Sequence, residues 1–134
     1  MAYLNTFVFV YPDGATVPIL AHEVAHAELH KRVGVLRFIG GAVPAWFDEG
    51  LAVYISGDER YLDVKNGTII GCRDTELAEL PSDGRLFRHL AASNANALYT
   101  ASACKVIDWM NEHDGMRGVI RFEQSVRSGT AFSG

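Results

Sequence analysis

The spacing of apolar and polar residues changes period several times along the chain, and each change marks an element. Residues 3 to 11, "YLNTFVFVY", are aromatic and β-branched and stop at Pro12-Asp13-Gly14, which predicts a strand running into a turn. From Ile19 to Val33, apolar and small residues recur at helical spacing. Thr16 is placed to cap this helix, Pro18 is tolerated in its first turn, and Gly34 ends it. "LRFIGGAVP" reads as a loop. "AWFDEGLAVYIS", Ala45 to Ser56, is a second helix, with Pro44 at its start and Gly57 just past its end.

Beyond it, "RYLDVKNGTIIG" sets Asn66-Gly67 between two β-prone runs, the signal of a hairpin. Residues 73 to 95 are mixed, with short helical turns expected at "TELAEL" and "LFRHLA". In "ANALYTASACKVIDWMNEHDG", Leu98, Ala101, Val106, Trp109 and Met110 fall at helical spacing up to a stop at Gly115, and "MRGVIRFEQSVRSG" repeats the pattern more briefly. The pattern predicts an α+β fold, mainly helical with a small sheet. Its 134 residues make one domain, in which about two thirds of the unfolded chain's surface is buried on folding.

Composition changes this picture little: 49% of residues are apolar and 21% charged, an ordinary globular balance. Charge excludes more. At −4 overall, with the basic residues scattered and "HKR" at 30 to 32 the densest group, no stripe exists to track a phosphate backbone, so nucleic acid is not an expected partner. Cys72 and Cys104 lack C-x-x-C spacing and suggest neither a zinc knuckle nor a disulfide framework, leaving a single bridge open. No run approaches the ~20 apolar residues of a membrane span and no basic leader begins the chain. The chain therefore reads as soluble as it stands, and as secreted if a leader has been removed. Its ends, "MA" and "RSGTAFSG", read as the edges of an excised domain.

The candidate chemistry lies in "ILAHEVAHAELH". His22-Glu23-Val24-Ala25-His26 spells H-E-x-x-H, which puts two imidazoles on one helical face beside a carboxylate. A catalytic zinc site needs three protein ligands and one open position. His30 cannot be the third, because each four-residue step climbs about 6 Å of helix axis; it reads as a surface or supporting residue. The extended pattern that adds a Gly and a third His is also absent, since Leu29 and Arg32 occupy those positions. An acidic pair in an otherwise apolar helix, Asp48 and Glu49, needs an explanation. Glu49 shares a face with Ala45, Trp46, Ala52 and Val53 and is expected to point inward more than Asp48, where a cation would neutralise it. Trp46 and Phe47 read as packing residues, and His89 and His113 as solvated.

"HEVAH", followed by Glu49 in "PAWFDEGLAVY", resembles the gluzincin metallopeptidases, most closely the small peptidase-MA-like domains whose second motif reads P-x-W-x-x-E-G-x-A-x-Y. The run "ALYTASACKVIDWMNEHDG" is similar to their third segment, and "SGTAF" looks like their G-x-x-F; the likeness spans about Thr6 to the end. The resemblance implies a zincin-like domain with one zinc ion held by His22, His26 and Glu49. It implies that Glu23 is the general base toward the metal-bound water and that Tyr99 donates a hydrogen bond to the oxyanion.

Two departures narrow the expectation. The G-x-M-E-N segment by which aminopeptidases hold a free amine does not precede His22, so aminopeptidase specificity is not implied. Thermolysin relatives place an Asp where Val53 stands, so an acceptor for a ligand imidazole must come from Asp48, Asp108 or a backbone carbonyl. The expected function is zinc-dependent hydrolysis of peptide bonds in a peptide or protein substrate. The alternative is a zincin-like domain that binds metal for stability or for a partner and does no proteolysis.

Overall fold

The computed structural model describes residues 17–33, 43–75, 79–129 and 132, with the side chains of 17–20, 23, 30, 32 and 33 outside that description. Helices α1 (Val17–Val33) and α2 (Ala45–Ser56) precede a hairpin of β1 (Leu62–Lys65) and β2 (Thr68–Cys72). Helices α3 (Gly84–Glu112) and α4 (Met116–Arg127) complete the described chain. Four helices and one two-stranded antiparallel sheet make an α+β architecture, as expected. The strand expected at 3–11, Thr16 and Gly34 lie outside the described residues, as does half of "TELAEL", whose described residues Thr75, Glu79 and Leu80 are not helical.

Helix α2 is the centre of the molecule, packed between α1 and α3, while α1 also meets α4 and β2 lies against α3. Its position explains its sequence: a helix packed between two others is apolar over most of its surface, and seven of its residues from Trp46 to Val53 are buried. Pro44 leads into it, and Gly57, left-handed at φ 62°, closes it with its N–H donating to the Tyr54 carbonyl. Gly50 allows a close approach, because a Cβ there would stand 2.2 Å from the Ser102 carbonyl oxygen. Any larger residue would push α3 away from the helix that carries Asp48 and Glu49.

The hairpin turns at Asn66 and Gly67, both at positive φ (51° and 75°), with Lys65 paired to Thr68. That is the two-residue turn whose twist suits adjoining strands. Cys72 at the end of β2 is bonded to Cys104 on α3, 32 residues away. The bridge fastens the hairpin to the helix and, by the loss of loop entropy in the unfolded chain, stabilises the fold by up to about 3–4 kcal/mol.

Helix α3 departs from the expectation of separate short turns followed by a helix. "LFRHLA" belongs to the same helix as "ANALYTASACKVIDWMNE", bent at Asn94, whose φ of −146° and ψ of 40° are not helical. Asp83 starts it by accepting a hydrogen bond from the Leu86 N–H. Among the described residues no helix is long and apolar enough to cross a membrane.

Candidate metal centre

Helices α1 and α2 build the site from opposite sides. On α1, the four-residue step puts His22 above His26, with Nε2 to Nε2 3.0 Å apart. On α2, Glu49 reaches across so that its Oε2 lies 3.3 Å from His22 Nε2 and 3.2 Å from His26 Nε2. Three ligand-type atoms thus form a near-equilateral triangle. A tetrahedral ion with bonds of 2.0–2.1 Å would separate its ligands by about 3.3 Å, so the triangle has the dimensions that zinc requires.

Hydrogen bonding points the same way. Asp48 sits beneath the triangle and accepts the Nδ1–H of His26 at 2.7 Å, so that the neutral ring carries its lone pair on Nε2, toward Glu49 and His22. Glu49 Oε2 is buried and accepts no hydrogen bond, although two imidazole nitrogens lie within 3.3 Å. Such lone pairs facing one point suit a shared cation better than they suit one another.

Charge on these residues is distributed accordingly. Burial opposes charge on His26, yet Asp48 and then Glu49 outweigh it and raise the imidazole well above its usual 6.5. Burial also opposes charge on Glu49, and the two imidazoles prevail, holding its carboxyl down to about 2. The negative groups that attract a proton to His26 attract a divalent cation in the same way.

The site is graded in depth. The His26 side chain is 6% exposed, whereas His22 and Glu49 are 18% and 22% exposed, so these two side chains lie nearer solvent although Glu49 Oε2 itself is buried. Among the described residues the metal-competent cluster consists of His22, His26 and Glu49.

The other expected site residues are placed as follows. Glu23 lies on α1 directly after His22, its side chain outside the described residues, as is that of His30. Tyr99, on α3, stands edge-on to His22 with ring centres 6.1 Å apart, so α3 closes a third side. The expectation that Glu49 points inward more than Asp48 is corrected: Asp48 is the deeper, at 11% side-chain exposure against 22%, because it supports the innermost imidazole. Asp48 is thus the acceptor that the Val53 position lacks, while Asp108 is exposed. Trp46 and Phe47 are core residues, at 3% and 0% exposure. His113 is half-buried rather than solvated, stacked at 4.1 Å on Trp109 and donating to that residue's carbonyl.

Sequence reasoning passed over Asp58, Arg60 and Tyr61. Asp58 is buried and Tyr61 lies 5.6 Å from Tyr99, ring centre to ring centre. "DERY" after a helix-ending Gly has the spelling of an exposed turn, and no local signal distinguishes it. Compared with known proteins, the chain matches no family model, no curated protein and no solved structure.

Proposed function

We propose that the chain is a zinc-dependent peptidase of zincin-like type, in which His22, His26 and Glu49 hold the ion. The observation that carries this reading is the triangle of 3.0, 3.2 and 3.3 Å among their ligand atoms. Two imidazoles and one carboxylate favour zinc among divalent ions. An ion so held supplies Lewis acidity, polarising a peptide carbonyl and acidifying water.

The chain's own residues supply the rest. Asp48 holds the His26 ring in the correct tautomer and raises its basicity as a ligand. Glu23, between the two histidines in sequence, takes a proton from the attacking water and returns it to the leaving amine. Tyr99 donates its hydroxyl proton in a hydrogen bond to the oxyanion that develops on the carbonyl. The likeness of "HEVAH" and "PAWFDEGLAVY" to the gluzincin motifs supports these roles.

Elemental mass spectrometry of tag-free protein, alongside a peptide-library digest, tests the reading. One zinc per chain is expected in both wild type and Glu23→Gln, with cleavage lost by about 10²–10⁴-fold in the variant. Equal cleavage by the two would remove Glu23 from the mechanism. Zinc binding without any cleavage, with a melting temperature that falls on chelation, would replace the peptidase with a structural metal domain.

A further inference from the structure

Beside the triad, the turn between α2 and the hairpin holds a guanidinium in an unusual state, fixed in place but exposed. Asp58, 5% exposed, accepts from Arg60 Nε at both carboxylate oxygens, 3.0 and 3.1 Å, and from Nη2 at 2.6 Å. The Arg60 backbone N–H donates to the same carboxylate at 3.0 Å, and the Asp58 carbonyl accepts from the N–H groups of Tyr61 and Leu62. Surface arginines ordinarily keep their rotamer freedom, and ordering one costs entropy. Here a buried carboxylate and a closed turn order it in advance, while 63% of its side chain remains exposed.

A guanidinium has two edges that can bind a carboxylate bidentately, one through Nε and Nη2 and one through Nη1 and Nη2. Asp58 occupies the first. On the second, Nη1 has no hydrogen-bond partner among the described residues. This edge stands at the end of an aromatic path to the metal centre: the guanidinium lies 5.1 Å over Tyr61, Tyr61 is 5.6 Å from Tyr99, and Tyr99 is 6.1 Å from His22.

We infer that Arg60 is a specificity-determining residue that binds a carboxylate of the substrate peptide, with Tyr61 and Tyr99 flooring the path from there to the bond held at the triad. The inference rests on the peptidase reading. An extended chain advances about 3.3–3.6 Å per residue, so the carboxylate belongs no more than about five residues from that bond. Its source is an acidic side chain or the free C-terminus, and both present the same planar group to the fork.

The test varies the ligand before the protein. Fluorescence anisotropy with zinc-loaded Glu23→Gln chain compares labelled peptides that carry Glu or Gln at each of five positions, each with a free or amidated C-terminus. At one position, or at the terminus, the acid is expected to bind at least about 10-fold more tightly than its amide. The position that responds identifies the source. Arg60→Gln should abolish the preference and leave the affinity for amide peptides unchanged. Because Arg60→Gln strands a buried Asp58, the double variant Asp58→Asn/Arg60→Gln, which replaces the ion pair with two amides, is read beside it. Equal binding of every acid and amide pair overturns the inference, as does a preference that survives in both variants. An Arg60-dependent preference in protein whose wild type cleaves no peptide would sustain the carboxylate site and remove the peptidase reading alone.

Discussion

Four consecutive residues of α2 serve two regions built on opposite principles. Trp46 and Phe47 face the aromatic core, where Phe47 meets Phe122 at 4.8 Å, Trp109 at 5.0 Å and Phe132 at 5.4 Å between ring centres. Asp48 and Glu49 face α1, where every important contact is polar and the nearest ligand atoms crowd to 3.0–3.3 Å. Edge-to-face rings satisfy one another without help. Two imidazoles and a carboxylate do so only with protons or a cation between them. The helix therefore joins an apolar region to a charged one, and the two should respond differently to substitution and to metal.

The largest effect is expected from Phe47→Ala. Phe47 is fully buried, so its loss should cost about 3–5 kcal/mol in chemical denaturation, by the same amount with and without zinc. Unequal losses would mean that the two faces of α2 are coupled and the comparison fails. Glu49→Ala should do the reverse. Zinc at a thousandfold excess over its Kd stabilises the fold by about 4 kcal/mol, so chelation should lower the wild-type Tm by on the order of 10 °C. The variant should show no such shift, and its metal-free melting should fall below that of wild type, because it loses the charged contact of Glu49 with the His26 imidazole.

Asp48→Asn sharpens the contrast within the polar face. The amide oxygen can still accept the His26 Nδ1–H, so geometry is kept while the negative charge is removed. Zinc affinity measured by competition with a chromophoric chelator should fall about 10- to 100-fold. An unchanged affinity would reduce Asp48 to a packing residue and leave His26 oriented by other means.

These regions were not equally legible in the sequence. Elements framed by local chemistry could be read directly: α2 between Pro44 and Gly57, and the hairpin at Asn66-Gly67. The triad was legible because His22 and His26 share a helix face and Glu49 interrupts an apolar run. Features made by distant contacts were not. Two cysteines on different elements carry no spacing signal for the Cys72–Cys104 bridge. The bend at Asn94 has neither Pro nor Gly to announce it, so one kinked helix reads as several pieces. The greater depth of Asp48 depends on which imidazole lies innermost, which only the packing of α1 on α2 decides.

The smallest effect is the pH dependence of chelated protein, which probes how the polar face balances its charges with no ion bound. Burial disfavours the charged forms of both groups, but Asp48 and Glu49 raise His26 well above 6.5, and the imidazoles lower Glu49 to about 2. Stability from a raised His26 is fully present below pH 6.5, its value in the unfolded chain, and is lost as pH rises through the folded value. Stability from a lowered Glu49 is present above its unfolded value, near pH 4.5, and is lost as pH falls toward 2. Chelated protein should therefore melt highest between about pH 4.5 and 6.5, where both contributions are present. Zinc-loaded protein must run the other way above that window, because the His26 imidazole has to give up a proton for its Nε2 to bind the ion. Differential scanning fluorimetry from pH 5 to 9 should thus show the gap between loaded and chelated Tm widening steadily. A gap that stays constant would mean that proton and metal do not compete for His26, and a metal elsewhere on the chain would have to account for any stabilisation.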